Sequence, residues 1–107
     1  MKPAQLSPQA RRDALDASRW IMTDNPGAAR TFRVAVDNAT ILLGEHPRAG
    51  RKRSELANVP VRFLSLTGFP YVLVYDASTI PPLILRVLHS ARDLPELLGN
   101  LNQTDSQ

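Results

Sequence analysis

The chain has 107 residues, a net charge of +3, a pI near 10.0 and no cysteine. That length fits one domain with a single core and leaves no room for a second, and no stretch approaches the roughly 18 uninterrupted apolar residues of a membrane span. The missing cysteines exclude disulfides, thiolate metal ligation and a cysteine nucleophile, and two histidines are too few for an expected metal or cofactor site. The basic character is local: Arg48, Arg51, Lys52, Arg53 and Arg62 stand against Glu55, so this stretch carries about +4 and the remainder about −1. Met1 to Ala10 has one lysine and no apolar run, so no secretory signal is read and a cytoplasmic location is expected.

Ser7-Pro8 reads as a helix start, a serine cap followed by proline where its missing N–H is harmless. Ala10, Ala14, Ala17 and Ile21 then recur at helical spacing, with Trp20 expected as a core anchor and Arg11, Arg12, Asp13, Asp16 and Arg19 on the other face. Asp24-Asn25-Pro26 ends this helix and starts a second by the same logic. The second helix has the stripe Ala28, Phe32, Ala35, Val36, Ala39, Leu42, Leu43 and is expected to end at Gly44 in a left-handed conformation. A basic loop follows, after which the period changes to 2 in Val59 to Leu66, Tyr71 to Asp76 and Leu83 to Leu88, three strands of an antiparallel meander. Lys2 to Leu6 is expected as an edge strand, restricted to that position by Pro3. Asp93 with Glu96 reads as the capping box of a short last helix, and residues 100–107 as a polar tail after a single domain spanning 1–99. A one-layer sheet must bury a face, so the helical hairpin is expected to cover it in a two-layer α+β fold, β-α-α-β-β-β-α, whose other face and one edge stay partly open.

The candidate binding residues follow from charge and position. Arg51, Lys52 and Arg53 are a solvated basic loop or a binding surface. Arg62 and Arg86 lie within apolar strands, where an isolated cation is costly, so each must face solvent, a carboxylate or a ligand, and Asp76 and Asp93 are the expected structural partners. His89 at its strand end suits ordering of that end by hydrogen bonding; Tyr71, Tyr75 and Phe63 suit packing better than base stacking.

Asn25-Pro26-x-Ala28-Ala29-x-x-Phe32, His46-Pro47-x-x-Gly50, Val61-Arg62, Phe69-Pro70-Tyr71 with Tyr75, and Leu85-Arg86-Val87-Leu88-His89 followed by Arg92-Asp93 stand in an order that resembles the RelE/ParE superfamily of type II toxin-antitoxin toxins, the plasmid stabilisation family, over roughly residues 6 to 98. Ribonuclease members of that superfamily use basic side chains on the sheet and typically a tyrosine after the last strand. Metal-free RNA cleavage needs a base, an acid and cations for the phosphorane charge. Here Ser90 to Leu98 contains no tyrosine, and Pro70-Tyr71 stands where RNA-cleaving relatives often place an arginine. The pattern therefore looks like the ParE branch. That resemblance implies a toxin that is not itself an enzyme, needs no cofactor, inhibits DNA gyrase on DNA by binding, and is held in a hetero-oligomer by a cognate ParD-like antitoxin. It implies a target- or antitoxin-binding set of Arg51, Lys52, Arg53, Arg62, Tyr71, Arg86, His89 and Arg92. The alternative is a RelE-like ribosome-dependent mRNA endonuclease using Arg62, Arg86, His89 and Arg92; an inactive, merely antitoxin-binding homologue is a third reading.

Overall fold

A computed structural model of the chain describes residues 2–52 and 61–93. The elements are β1 (Gln5–Leu6), α1 (Pro8–Asp24), α2 (Pro26–Glu45), β2 (Arg51–Lys52), β3 (Val61–Ser65), β4 (Tyr71–Asp76) and β5 (Leu83–His89). They form an α+β fold in which a helical hairpin packs on a five-stranded sheet of order β1-β5-β4-β3-β2. The β3-β4-β5 meander is antiparallel as expected, whereas β1 runs parallel to β5, which makes the sheet mixed. The start of the basic loop is not a plain loop: Arg51 and Lys52 pair with Phe63 and Arg62 and add an edge strand. The expected capping box, last helix and tail fall on residues 94–107, beyond the described ones, except for Asp93.

Both helices begin as their caps dictate. Ser7 Oγ accepts the Ala10 amide at 3.0 Å and Pro8 opens α1. Asn25 serves both helices: its own amide donates to the Ile21 carbonyl at the end of α1, and its Oδ1 accepts the Ala28 amide at the start of α2 at 3.1 Å. One extended residue thus reverses the chain while satisfying orphan groups of two helices. Gly44 departs from its expected role. The helix continues through Glu45, and at Gly44 the N-terminal segment crosses it so closely that an added Cβ would collide with the backbone of Lys2 and Pro3. The Ala4 amide donates to the Thr40 carbonyl at 2.8 Å in the same region, so the missing side chain lets the segment that leads into β1 lie against α2.

The core lies between hairpin and sheet. Phe32 and Leu43 of α2, Leu73 and Tyr75 of β4, and Ile84 of β5 are its largest fully buried side chains. Phe32 meets Phe69 and Tyr71 edge-on, with centroids 5.3 and 5.2 Å apart. The contribution of α1 is mostly alanine, Ala10 and Ala17 being buried, so this helix approaches the sheet closely. Two expected core residues lie elsewhere as a result of helix phase: Trp20 is 63% exposed, off the edge of the alanine stripe, and Leu42 is 40% exposed, while Thr40, outside the expected stripe, is buried. The sheet face away from the hairpin is also less open than expected, because Phe63, Val72, Val74 and Leu88 are buried in a second apolar cluster with Val61 against it.

Candidate interaction surfaces

Strand β4 orders the site residues, because Tyr71 and Tyr75 mark its two ends, about 13 Å apart by strand rise. At the Tyr75 end, the phenol lies under the segment that leaves α2. Its hydroxyl donates to the Pro47 carbonyl at 2.7 Å and accepts the Gly50 amide at 2.8 Å. Arg62, directly opposite Tyr75 in the sheet, donates from Nη1 to the Gly50 carbonyl at 2.9 Å. The His46-Pro47-x-x-Gly50 motif is thereby explained as a loop clasped from below, with glycine required where the tyrosine ring comes closest. Arg62 is neither free nor paired with Asp76. Asp76 Oδ1 instead accepts the amide and hydroxyl of Ser78 at 2.8 and 2.6 Å, which stabilises the turn after β4 and lowers the carboxyl pKa.

Burial raises the Tyr75 pKa above its ordinary 10.0, while the Gly50 amide and the charge of Arg62 pull the other way. A folded-state pKa above the unfolded one gives stability that is complete below the unfolded value and lost as pH rises through the folded value. Thermal melts between pH 8 and 11 should therefore show a loss of stability setting in above about pH 10 that is smaller in Tyr75→Phe. Equal alkaline losses in both proteins would remove Tyr75 as its source.

Alternation along the sheet separates the basic residues. Lys52 and Arg62 share the Tyr75 side, whereas Arg51 stands in register with Phe63 and Val74 on the opposite face. Arg53 lies outside the described residues. Lys52 and Arg62 line one cleft together with His46 and Arg48, which the sequence marked only as part of a motif and of the basic stretch.

From the step between Val74 and Tyr75 toward the Tyr71 end, β5 carries a different arrangement. A bulge in β5 leaves Leu85 without a partner on β4, and beside it Arg86 turns to α1. Its Nε and Nη2 donate to Asp13 at 2.7 and 3.3 Å, and Asp13 also accepts the Val87 amide at 3.1 Å. The hydrogen bond to Asp13 raises the Arg86 pKa and exceeds the opposing effect of burial. The structural partner of Arg86 is thus Asp13, placed by the sequence reading on the outer face of α1, and neither Asp76 nor Asp93. Asp13 flanks the buried Ala10 and Ala17 and the partly buried Ala14, a position from which a carboxylate reaches the sheet.

His89 orders its strand end: Nδ1 accepts the amides of Ala91 and Arg92 at 3.2 and 3.1 Å, and its ring meets Tyr71 edge-on. Asp93 accepts the His89 amide at 3.0 Å and pairs with Arg92 at 2.9 Å; that pairing holds its carboxyl below the usual range. Among the described residues the buried Tyr71 hydroxyl has no close hydrogen-bond partner; it faces a cavity of about 250 Å³ that Trp20 and Arg92 also line, with the Arg92 guanidinium near enough to feel it. Among the described residues no group of three or more histidines and carboxylates is placed to hold a metal ion, and no helix is long and apolar enough to cross a membrane.

The two ends of β4 thus present separate arrangements: a basic cleft at Tyr75, and at Tyr71 a set of side chains engaged mainly with one another. Known proteins share this chain's pattern over most of its length. The family model described as the ParE toxin of the type II toxin-antitoxin system parDE matches residues 4–94. Toxin RelE3 of Caulobacter vibrioides is 31% identical over 90 residues, 84% of this chain and 96% of that protein. A solved structure described as the chromosomal ParDE TA system from P. aeruginosa has the same fold, with a TM-score of 0.68 and 20% identity over 83% of this chain and 96% of that one. The motif order, the hairpin-on-sheet architecture and these matches lead to one conclusion: the chain belongs to the ParE toxin family of type II toxin-antitoxin systems.

Proposed function

We propose that the protein acts by binding: it inhibits DNA gyrase, promotes trapped, cleaved DNA complexes, and is neutralised by a ParD-like antitoxin that masks its surface. The observation that carries this reading is the commitment of the candidate side chains. Arg86 is held by Asp13, Arg62 by the Gly50 carbonyl, and Nδ1 of His89 by two backbone amides. Metal-free RNA cleavage needs an acid, a base and cations converging on one phosphate. Here Arg62 stands opposite Tyr75, Arg86 pairs in register with the neighbouring Val74 but is held by Asp13 of α1, and His89 and Arg92 lie at the Tyr71 end. Such a distribution suits an extended contact surface better than a concerted proton transfer.

A second reading, ribosome-dependent mRNA cleavage, is favoured by the name of Toxin RelE3 and by His46 sharing a cleft with Lys52 and Arg62. Induction in cells separates the two readings. The gyrase reading expects broken chromosomal DNA with intact transcripts early after induction. Transcripts cut within codons, with intact DNA, would replace it by the ribonuclease reading, and growth without arrest would mark an inactive homologue.

A further inference from the structure

Two side chains at the Tyr71 end are left over by the packing and the ion pairs, and both line one cavity of about 250 Å³ between α1 and the sheet. Tyr71 is 3% exposed, yet its hydroxyl has no close hydrogen-bond partner among the described residues. The nearby Arg92 guanidinium is engaged by Asp93 instead, through Nε and Nη2. Trp20, the sole tryptophan of the chain, is 63% exposed. A buried hydroxyl without a partner costs free energy, and an indole left in water adds nothing to the core. The charges around the cavity are those of Asp13, Asp16, Asp93 and Arg92. Asp13 is held by Arg86 and Asp93 by Arg92. Asp16 is exposed and has no partner among the described residues, so one negative charge stays uncompensated.

We propose that this cavity binds an alkylguanidinium group, carried by a free guanidine or by an arginine side chain of another protein. A guanidinium is a planar cation with donors on both sides of its fork. It can give one to the Asp16 carboxylate and one to the Tyr71 hydroxyl oxygen while its face lies against the Trp20 indole. The cavity is smaller than the roughly 300–1,000 Å³ of drug-sized sites, which suits one group of side-chain size. An anion would meet three carboxylates there. A metal ion is disfavoured, because among the described residues no three histidines or carboxylates converge. An ammonium is a compact, strongly hydrated point charge; it satisfies Asp16 but lacks the flat face that the indole accepts. The proposal concerns this cavity alone and stands whichever macromolecule the toxin attacks.

Intrinsic fluorescence tests it, because Trp20 alone reports in the tryptophan band. The full chain is titrated at constant ionic strength with methylguanidinium, with a blocked alanine-arginine-alanine tripeptide, and with the matching lysine tripeptide as rival. The arginine tripeptide should give a saturable change and bind about fivefold more tightly than the lysine one. Saturation by methylguanidinium too points to a free guanidine as a sufficient ligand; saturation by the tripeptide alone points to the arginine of a partner. Asp16→Asn should weaken binding about fivefold and Tyr71→Phe about tenfold, the hydroxyl being the more buried acceptor. Circular dichroism should show both variants folded. Tyr71→Phe should also keep its melting temperature, since it removes a hydroxyl without a close partner. No saturable change, equal binding of the lysine tripeptide, binding indifferent to both substitutions, or a lowered melting temperature with unchanged binding in Tyr71→Phe would overturn the proposal. None of these outcomes bears on the gyrase reading, which is measured on gyrase.

Discussion

Replacing Asp13 by alanine should lower stability by about 2 kcal/mol, equivalent to a melting-temperature loss of about 10 °C for a domain of this size. The carboxylate is 10% exposed and accepts four hydrogen bonds, two from Arg86, one from the Val87 amide and one from Gln9 Nε2. Its removal leaves a cation in the helix-sheet interface and a strand amide without its acceptor. The cost stays below that of a fully buried pair because the Arg86 side chain is 37% exposed and water can reach it. Arg86→Ala should cost about half as much, since Asp13 keeps the Val87 amide, and the double variant should cost less than the sum of the two. Thermal unfolding of the four proteins checks this. A loss below about 0.5 kcal/mol for Asp13→Ala would reduce the pair to an ordinary surface contact.

Gly50→Ala should cost about 3 kcal/mol and exceed the effect of Tyr75→Phe. An alanine Cβ there would stand 2.6 Å from Tyr75 Cε1, 2.7 Å from its hydroxyl and 2.9 Å from the Phe63 carbonyl. The ring is fully buried and the carbonyl is backbone, so neither neighbour can yield and the loop must lift. Lifting it breaks the Gly50 bonds to both Tyr75 and Arg62. Tyr75→Phe only leaves the Pro47 carbonyl and Gly50 amide without the hydroxyl, at about 1–2 kcal/mol. Chemical denaturation of the two variants gives the comparison; a larger loss in Tyr75→Phe would mean that the loop is free to shift and that the clasp rests on the hydroxyl alone.

The parts of the fold that depend on local chemistry were readable in the sequence. Ser7-Pro8 and Asn25-Pro26 placed both helix starts, and alternation placed the three meander strands and assigned Tyr71, Tyr75 and Phe63 to packing. Features set by non-local approach were not readable. Gly44 carries the same signature whether it ends a helix or admits a crossing chain, and only the position of Lys2 and Pro3 decides. Trp20 misled because size suggests a core anchor, whereas phase places it beyond a stripe of alanines that leaves no depth for it. The partner of Arg86 lies 73 residues away on another element, and the bulge that turns Arg86 to it has no mark in the sequence. Alternation could have separated Arg51 from Lys52 in advance, once the two were taken as a strand instead of a loop.

The proposed mode of action is tested most directly with purified gyrase. The protein, freed of antitoxin, is titrated into a supercoiling reaction with cleavage read on the same gel, and folding is checked by circular dichroism. The expected result is loss of supercoiling with accumulation of linear DNA, reversed by the cognate antitoxin. Undiminished supercoiling at stoichiometric excess of folded protein, together with cutting of ribosome-bound mRNA by the same preparation, would contradict it.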